Sequence, residues 1–327
     1  MAPLATFALA AVIWVGAAAV CSLFVSAAWP ALRHQAYRLD PVTRARTLGI
    51  VAIGPWLLPT LLVSLLFVPG VLAWLGGVED HCRQHAEHPH LCIAHPTALL
   101  TPLLVGVLIL AAFSLFTKLI WDGSNFVRMF EQARRLRAAA KDRLAADVRR
   151  IDSTRVFALT AGLLRPTIFV SQGLIDALPE RQVGVVLEHE RAHVQRRDPL
   201  LSFITIALSF PHWPSVRRAL LHDLSLASEQ ACDEAAGSLV GDRLLVAETI
   251  LAVERLAADC ELGSALGFGG GSSVPERVHS LLSGRSALGS PKVVWWAAGL
   301  AVTVIIWSAE PLHHLAEHLL EVIRLAH

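Results

Sequence analysis

The chain has 327 residues, of which 54% are hydrophobic and only 17% charged, and its mean hydropathy is +0.53. That balance excludes an ordinary soluble domain and a disordered chain, and it places part of the protein in lipid. Lys and Arg total 28 against 27 Asp and Glu, so net charge names no partner; the five cysteines form no C-x-x-C pair, which argues against a thiolate zinc finger.

Leu4 to Ala28 is a nearly unbroken apolar run, long enough to span a bilayer. No positive residue precedes it and it exceeds a typical signal core, so it reads as a span rather than a cleaved signal peptide. Ala31 to Arg46 carries Arg33, Arg38, Arg44 and Arg46 against Asp40 alone. Short basic loops stay in the cytoplasm, which puts the N-terminus outside. Leu48 to Leu75 is a second span, broken by Gly54, Pro55, Pro59 and Pro69 and so expected to kink. Lipid tolerates such breaks where other helices cover the freed carbonyls.

Residues 76–96 should then face outward. They hold His81, His85, His88, His90 and His95 around Cys82 and Cys92. Two readings stay open: a disulfide between Cys82 and Cys92 closing a small loop, or a zinc or copper sensor built from the histidines. Ala98 to Leu119 is a third span, completing a membrane domain over 1–120. The basic stretch from Lys118 to Arg150 reads as mostly helical and cytoplasmic, and without interleaved aromatics no direct nucleic-acid binding is expected.

Arg155 to Ser171 changes character. β-branched and aromatic residues flank Gly162, which predicts a hairpin, and Pro166 assigns its second strand to an edge where an extended substrate could add. Pro179 and Glu180 then start a helix through Val183–Pro199, whose centre is His189-Glu190-Arg191-Ala192-His193. Residues four apart share a helix face, so both imidazoles can grip one zinc ion. Glu190 lies one position round, placed to take a proton from a metal-bound water.

A third ligand is available in Leu226–Ala236, where Glu229 and Asp233 are again four apart. Glu229 can complete a two-His, one-Glu site with a fourth corner for water, and Asp233 can orient a ligand from behind. Leu200 to Phe210 is apolar but too short to span; it reads as a membrane-surface or re-entrant segment, or as core. His212 and His222 are the nearest extra histidines and are candidate oxyanion donors, against the plainer reading of surface or core histidines. Asp242 to Asp259 is an amphipathic helix, Gly263 to Ser273 a loop, and Pro275 to Leu282 a short helix. Val293 to Ala309, within 291–309, is a fourth span, and 310–327 is a short amphipathic tail returning outside.

The order of parts resembles the BlaR/MecR family of membrane-embedded zinc metallopeptidases. The resemblance rests on three N-terminal spans with a kinked second one and on Leu163–Ser171 ahead of the metal helix. It rests further on His189-Glu190-x-x-His193 with Arg197-Asp198 after it, on Glu229-Gln-Ala-Cys232-Asp233-Glu234-Ala235, and on the glycine loop followed by Pro275-Glu276-Arg277. It implies a mainly α membrane protein with about four transmembrane helices and a cytoplasmic α+β zincin-like metalloprotease domain, 121–290, bearing a small β-hairpin or sheet. It implies one catalytic Zn2+ on His189, His193 and Glu229, with Glu190 as general acid/base and Asp233 and Asp198 holding the ligands. Drug-sensing members carry a large outer penicillin-binding domain after the last span. Residues 310–327 are too few to fold as one, so the expectation is the protease module without that sensor.

The expected function is therefore a zinc endopeptidase of the bacterial inner membrane, with both termini outside. It would cleave a cytosolic or membrane-proximal protein in signal transduction, either a transcriptional repressor or itself. Membrane-protein quality control is one alternative, and a non-catalytic metal-binding sensor or scaffold is another. Lipid is an expected partner, and a homodimer stays open.

Overall fold

The structure is a computed structural model that describes residues 2–74, 102–258 and 273–283. The protein is mostly helical with one small sheet. In chain order α1 is Ala2–Ala36, α2 Pro41–Trp74, α3 Pro102–Ala139, β1 Ala140–Arg143, β2 Val148–Ile151, β3 Ala158–Ala161 and β4 Thr167–Ser171. Then follow α4 Gln172–Ala177, α5 Glu180–Arg196, α6 Asp198–Leu208, α7 Pro214–Val240, α8 Arg243–Ala258 and α9 Val274–Ser283. The expected outer loop with Cys82 and Cys92, nearly all of the glycine-rich loop, the fourth span and the tail lie outside the described residues.

Two stretches, Ala10–Ala36 and Pro41–Leu65, are helices long and apolar enough to cross a membrane. They pack side by side, and α7 lies against both through Trp29, Leu48, Ala52, Val216 and Leu220. Helix α2 runs unbroken through Pro55, Pro59 and Pro69. Helix α3 keeps its apolar side chains exposed well past residue 119, as at Ile120, Trp121, Val127 and Phe130.

Beyond α3 the chain departs from the expected helix. Composition favoured helix to residue 150, but α3 stops at Ala139 and β1 and β2 form an antiparallel pair. Val148 and Ile151 decide it: both are β-branched and both are buried in the sheet. Tertiary burial outweighs the helix preference of the surrounding Ala and Arg.

The sheet order is β1-β2-β4-β3, with β2 parallel and β3 antiparallel to β4. The predicted hairpin is present as β3–β4. Its Pro-bearing strand is not at an edge, however: β4 is interior, with Ile168, Phe169 and Val170 fully buried. Pro166 stands one residue ahead of the strand, so β4 keeps every N–H donor it needs. Of the hairpin's two strands, β3 is the one at an edge of the sheet. Gly162 makes the turn possible at φ 108, a left-handed conformation in which a Cβ would also meet the Arg165 carbonyl at 2.8 Å.

The sheet buries Val148, Ile168 and Val170 against Val183, Val186 and Leu187 of α5 and against α8. The other side of α5 meets α7, α8 and α9 through Val185, Ala236, Val246 and Leu281. Helix α5 is thus clamped between a sheet and a helical layer. It ends at Arg197, in the left-handed conformation at φ 55, and the chain turns there directly into α6. Pro199, which the sequence placed as a stop for α5, sits in the first turn of α6.

Candidate metal centre

Helix α5 brings His189 and His193 one turn apart on the face turned to α7, and their Nε2 atoms lie 3.2 Å from each other. Glu229, on α7, reaches between them: Oε2 is 3.5 Å from His189 Nε2 and Oε1 is 3.5 Å from His193 Nε2. A tetrahedral zinc ion with ligand bonds of about 2.0–2.2 Å has ligand-to-ligand edges of about 3.3–3.6 Å. The observed separations lie close to such edges, with Glu229 meeting each imidazole through a different oxygen.

The outer ring atoms are held as well. Asp233 Oδ1 lies 2.9 Å from His189 Nδ1, and Asp198 Oδ2 lies 2.8 Å from His193 Nδ1. A carboxylate only accepts, so each Nδ1 carries the hydrogen and each Nε2 is directed inward. Two imidazoles and a carboxylate are a donor set that suits a borderline divalent ion.

Arg277 on α9 locks the carboxylates. Its guanidinium makes two bonds to Asp233, Nε to Oδ2 at 2.8 Å and a terminal nitrogen to Oδ1 at 2.6 Å. The other terminal nitrogen lies 3.1 Å from Glu229 Oε2. Burial would raise the pKa of Glu229, but His189 and Arg277 outweigh it and hold the carboxyl well below its usual range. Asp233 is likewise lowered against burial, by Arg277 and then His189. Burial would lower His189, but its bonds to Asp233 and Glu229 raise it to about 10. In the metal-free protein His189 is therefore a cation between two anions, a place a metal ion can take over.

Glu190 is buried, and its Oε2 accepts a bond from the Thr160 hydroxyl at 2.7 Å. Thr160 belongs to the edge strand β3, so that strand and the predicted acid/base residue are in direct contact. Cys232 Sγ lies 3.4 Å from His193 Nδ1 and 3.6 Å from Asp198 Oδ2. Burial, and then the charge of Asp198, push its thiol up. The grouping of His193, Asp198 and Cys232 is thus the back of the site, with Asp198 already accepting from the ring.

The two predicted oxyanion donors are placed elsewhere. His212 is buried against α2, its Nε2 at 3.1 Å from the carbonyl oxygens of Val51 and Ala52. His222 is mostly exposed, with Nδ1 at 3.5 Å from Asp223. Among the described residues neither has a hydrogen bond or ion pair to the His189, His193 and Glu229 cluster. Sequence reasoning missed Thr160 and gave no role to Cys232 or Arg277. For Arg277 a signal existed, since Pro275-Glu276-Arg277 was part of the pattern, but nothing local to α9 shows two carboxylates opposite it.

A family model described as BlaR1 peptidase M56 matches residues 78–278. No curated protein and no solved structure matches the chain.

Proposed function

The chain belongs to the BlaR1 peptidase M56 family, and from that premise we propose that it is an integral-membrane, zinc-dependent endopeptidase. The observation that carries the reading is the pair of inward-facing Nε2 atoms 3.2 Å apart, each 3.5 Å from one carboxylate oxygen of Glu229, a spacing that suits one zinc ion with a corner left for solvent. When bound, zinc supplies Lewis acidity, polarising a carbonyl and acidifying a water.

The chain's own residues do the rest. His189, His193 and Glu229 hold the ion, and Asp233 and Asp198 keep the imidazoles turned inward. Glu190 takes a proton from the attacking water and delivers it to the leaving amine. Thr160 holds that carboxylate ready. An extended substrate adds to the outer edge of β3, beside the metal helix, through backbone hydrogen bonds.

The metal-bearing domain (121–290) faces the cytoplasm of a bacterial cell, below four spans that include 98–119 and 293–309. Charge supports this. Arg33 and Arg44 come from the basic inner ends of the first two spans, and they bond Asp223 and Gln230 on α7, the helix that carries Glu229. The substrate is a cytosolic or membrane-proximal protein, either a transcriptional repressor or the chain itself, as the family resemblance implies.

The test uses the full chain in lipid nanodiscs, wild type beside Glu190→Gln, with candidate repressors. Equal metal content with cleavage by wild type alone is expected. Equal cleavage by both removes Glu190 from the mechanism. Full metal content in His189→Ala and Glu229→Ala removes the site itself.

A further inference from the structure

Helix α2 carries Pro55 inside a membrane-spanning stretch. Proline has no N–H, so the carbonyl of Val51, one turn earlier, loses its helical partner. In lipid no water can replace it, so the carbonyl needs a donor from another part of the protein. His212 supplies the missing donor: Nε2 lies 3.1 Å from the Val51 oxygen and 3.1 Å from that of Ala52. Carbonyls only accept, so Nε2 carries the hydrogen. His212 itself is 3% exposed and sits in the turn between α6 and α7.

The same turn reaches the first span. Phe210 stacks on Trp14 of α1 with ring centroids 6.4 Å apart. Thr205 of α6 approaches Gly49 of α2 at 4.0 Å from where a Cβ would stand. The hairpin also ties down part of its own polar surface, while His212 Nδ1 is buried without a partner among the described residues. Arg217 donates to the Ser209 hydroxyl at 3.0 Å and to the Ile206 carbonyl at 2.9 Å. Lys118 of α3, whose ammonium lies 5.3 Å from the Phe210 ring centre, is ion-paired with Asp122. Leu201, Ile206, Phe210 and Trp213 are all exposed among the described residues, and so are Ser202, Ser215 and Arg218.

We propose that α6, the turn at 209–213 and the first turns of α7 form a re-entrant hairpin in the inner leaflet, with lipid acyl chains covering Leu201, Ile206, Phe210 and Trp213. The eleven residues of α6 are too few to cross. The hairpin returns to the surface where Asp223 meets Arg33 and Tyr37, about 14 Å up α7 at ~1.5 Å per residue. The metal site lies between α5, which leads into the hairpin, and α7, which leaves it. It therefore stands on the bilayer, and the peptide bonds within its reach are those held at the inner membrane surface. The inference concerns lipid contact and holds whether or not the site hydrolyses peptides.

The test places a nitroxide on a ketone-bearing non-natural residue at Ile206 and at Trp213, in the full chain in nanodiscs. Leu57 of α2 serves as the lipid reference and Ser238 of α7 as the aqueous one. Collision rates with oxygen and with a water-soluble nickel complex are compared. The expected result at both positions is severalfold more collision with oxygen than with nickel, as at Leu57. Nickel collision as high as at Ser238 overturns the proposal in favour of an aqueous surface. Low collision with both overturns it in favour of cover by protein, either another part of this chain or a second copy.

Discussion

Asp233 Oδ1 lies 2.9 Å from His189 Nδ1, and that one bond joins α7 to the metal helix α5 from behind the site. It fixes which ring nitrogen carries hydrogen, and therefore which one is free for a metal. Asp233→Asn keeps the shape but loses the charge that makes the ring a better ligand. Metal affinity should fall by about 10–100-fold, the range typical of partners that hold a metal-bound histidine. A competition titration against a chromophoric chelator measures it; unchanged affinity would show that the contact does not orient the ligand.

Arg277 neutralises the buried Asp233 and the half-buried Glu229 at once. Arg277→Gln takes from Glu229 and Asp233 the guanidinium they share and leaves His189 alone between them. Removing one partner from such a buried group costs about 3–5 kcal/mol. A drop in thermal midpoint of several degrees and weaker metal binding are expected together. Arg277→Lys should recover little, because a single ammonium cannot make the two-point contact to Asp233 and still reach Glu229.

Thr160 acts on Glu190 rather than on the metal. Thr160→Val should lower kcat about tenfold, the loss expected for one positioning hydrogen bond of about 1–1.5 kcal/mol, with KM nearly unchanged. Metal content should stay at the wild-type level, and Thr160→Ser should restore the rate. A change in KM alone would instead assign Thr160 to substrate binding on the edge strand.

The charge state of His189 predicts a pH dependence for the metal-free protein. Its folded pKa, about 10, lies above the ordinary value of 6.5. Its stabilising contribution is therefore complete below 6.5 and is lost as pH rises through about 10. A metal ion must displace that proton, so apparent affinity should rise with pH across this window and binding should release protons. Calorimetry in buffers of different ionisation enthalpy reads the number released; no proton release near neutral pH would contradict the geometry of His189 between Asp233 and Glu229.

His212 and Pro55 form a second testable pair. His212→Phe leaves the Val51 carbonyl without a donor and should lower stability by about 1–3 kcal/mol. Pro55→Ala gives α2 back its own N–H for that carbonyl. In the Pro55→Ala background the same histidine substitution should cost distinctly less. Equal cost in both backgrounds, measured by thermal unfolding in detergent, would mean that His212 matters for packing and not for the carbonyl.

What the sequence determined by itself was local or compositional. His189 and His193 fall on one face of α5 because four residues make about one turn, and no tertiary information is needed to see it. The apolar runs of α1 and α2 are legible for the same reason, as are the β3–β4 hairpin and the helix bearing Glu229. The fold around them was less legible. Arg-rich composition hid the β1–β2 pair, because what makes it a sheet is the burial of Val148 and Ile151 against other elements. Pro166 suggested an edge strand, yet β4 became central because the proline falls just outside it.

Only the tertiary structure decided the partners of the site. Arg277 is 44 residues from Asp233, Thr160 is 30 from Glu190, and His212 is 161 from Val51. Contacts at such separations have no periodicity to betray them; they exist because packed helices bring distant side chains within bonding distance. His212 shows the limit most clearly. A histidine near a metal motif suggests chemistry, but a proline-freed carbonyl in a membrane helix needs a donor, and folding assigned the histidine to that need.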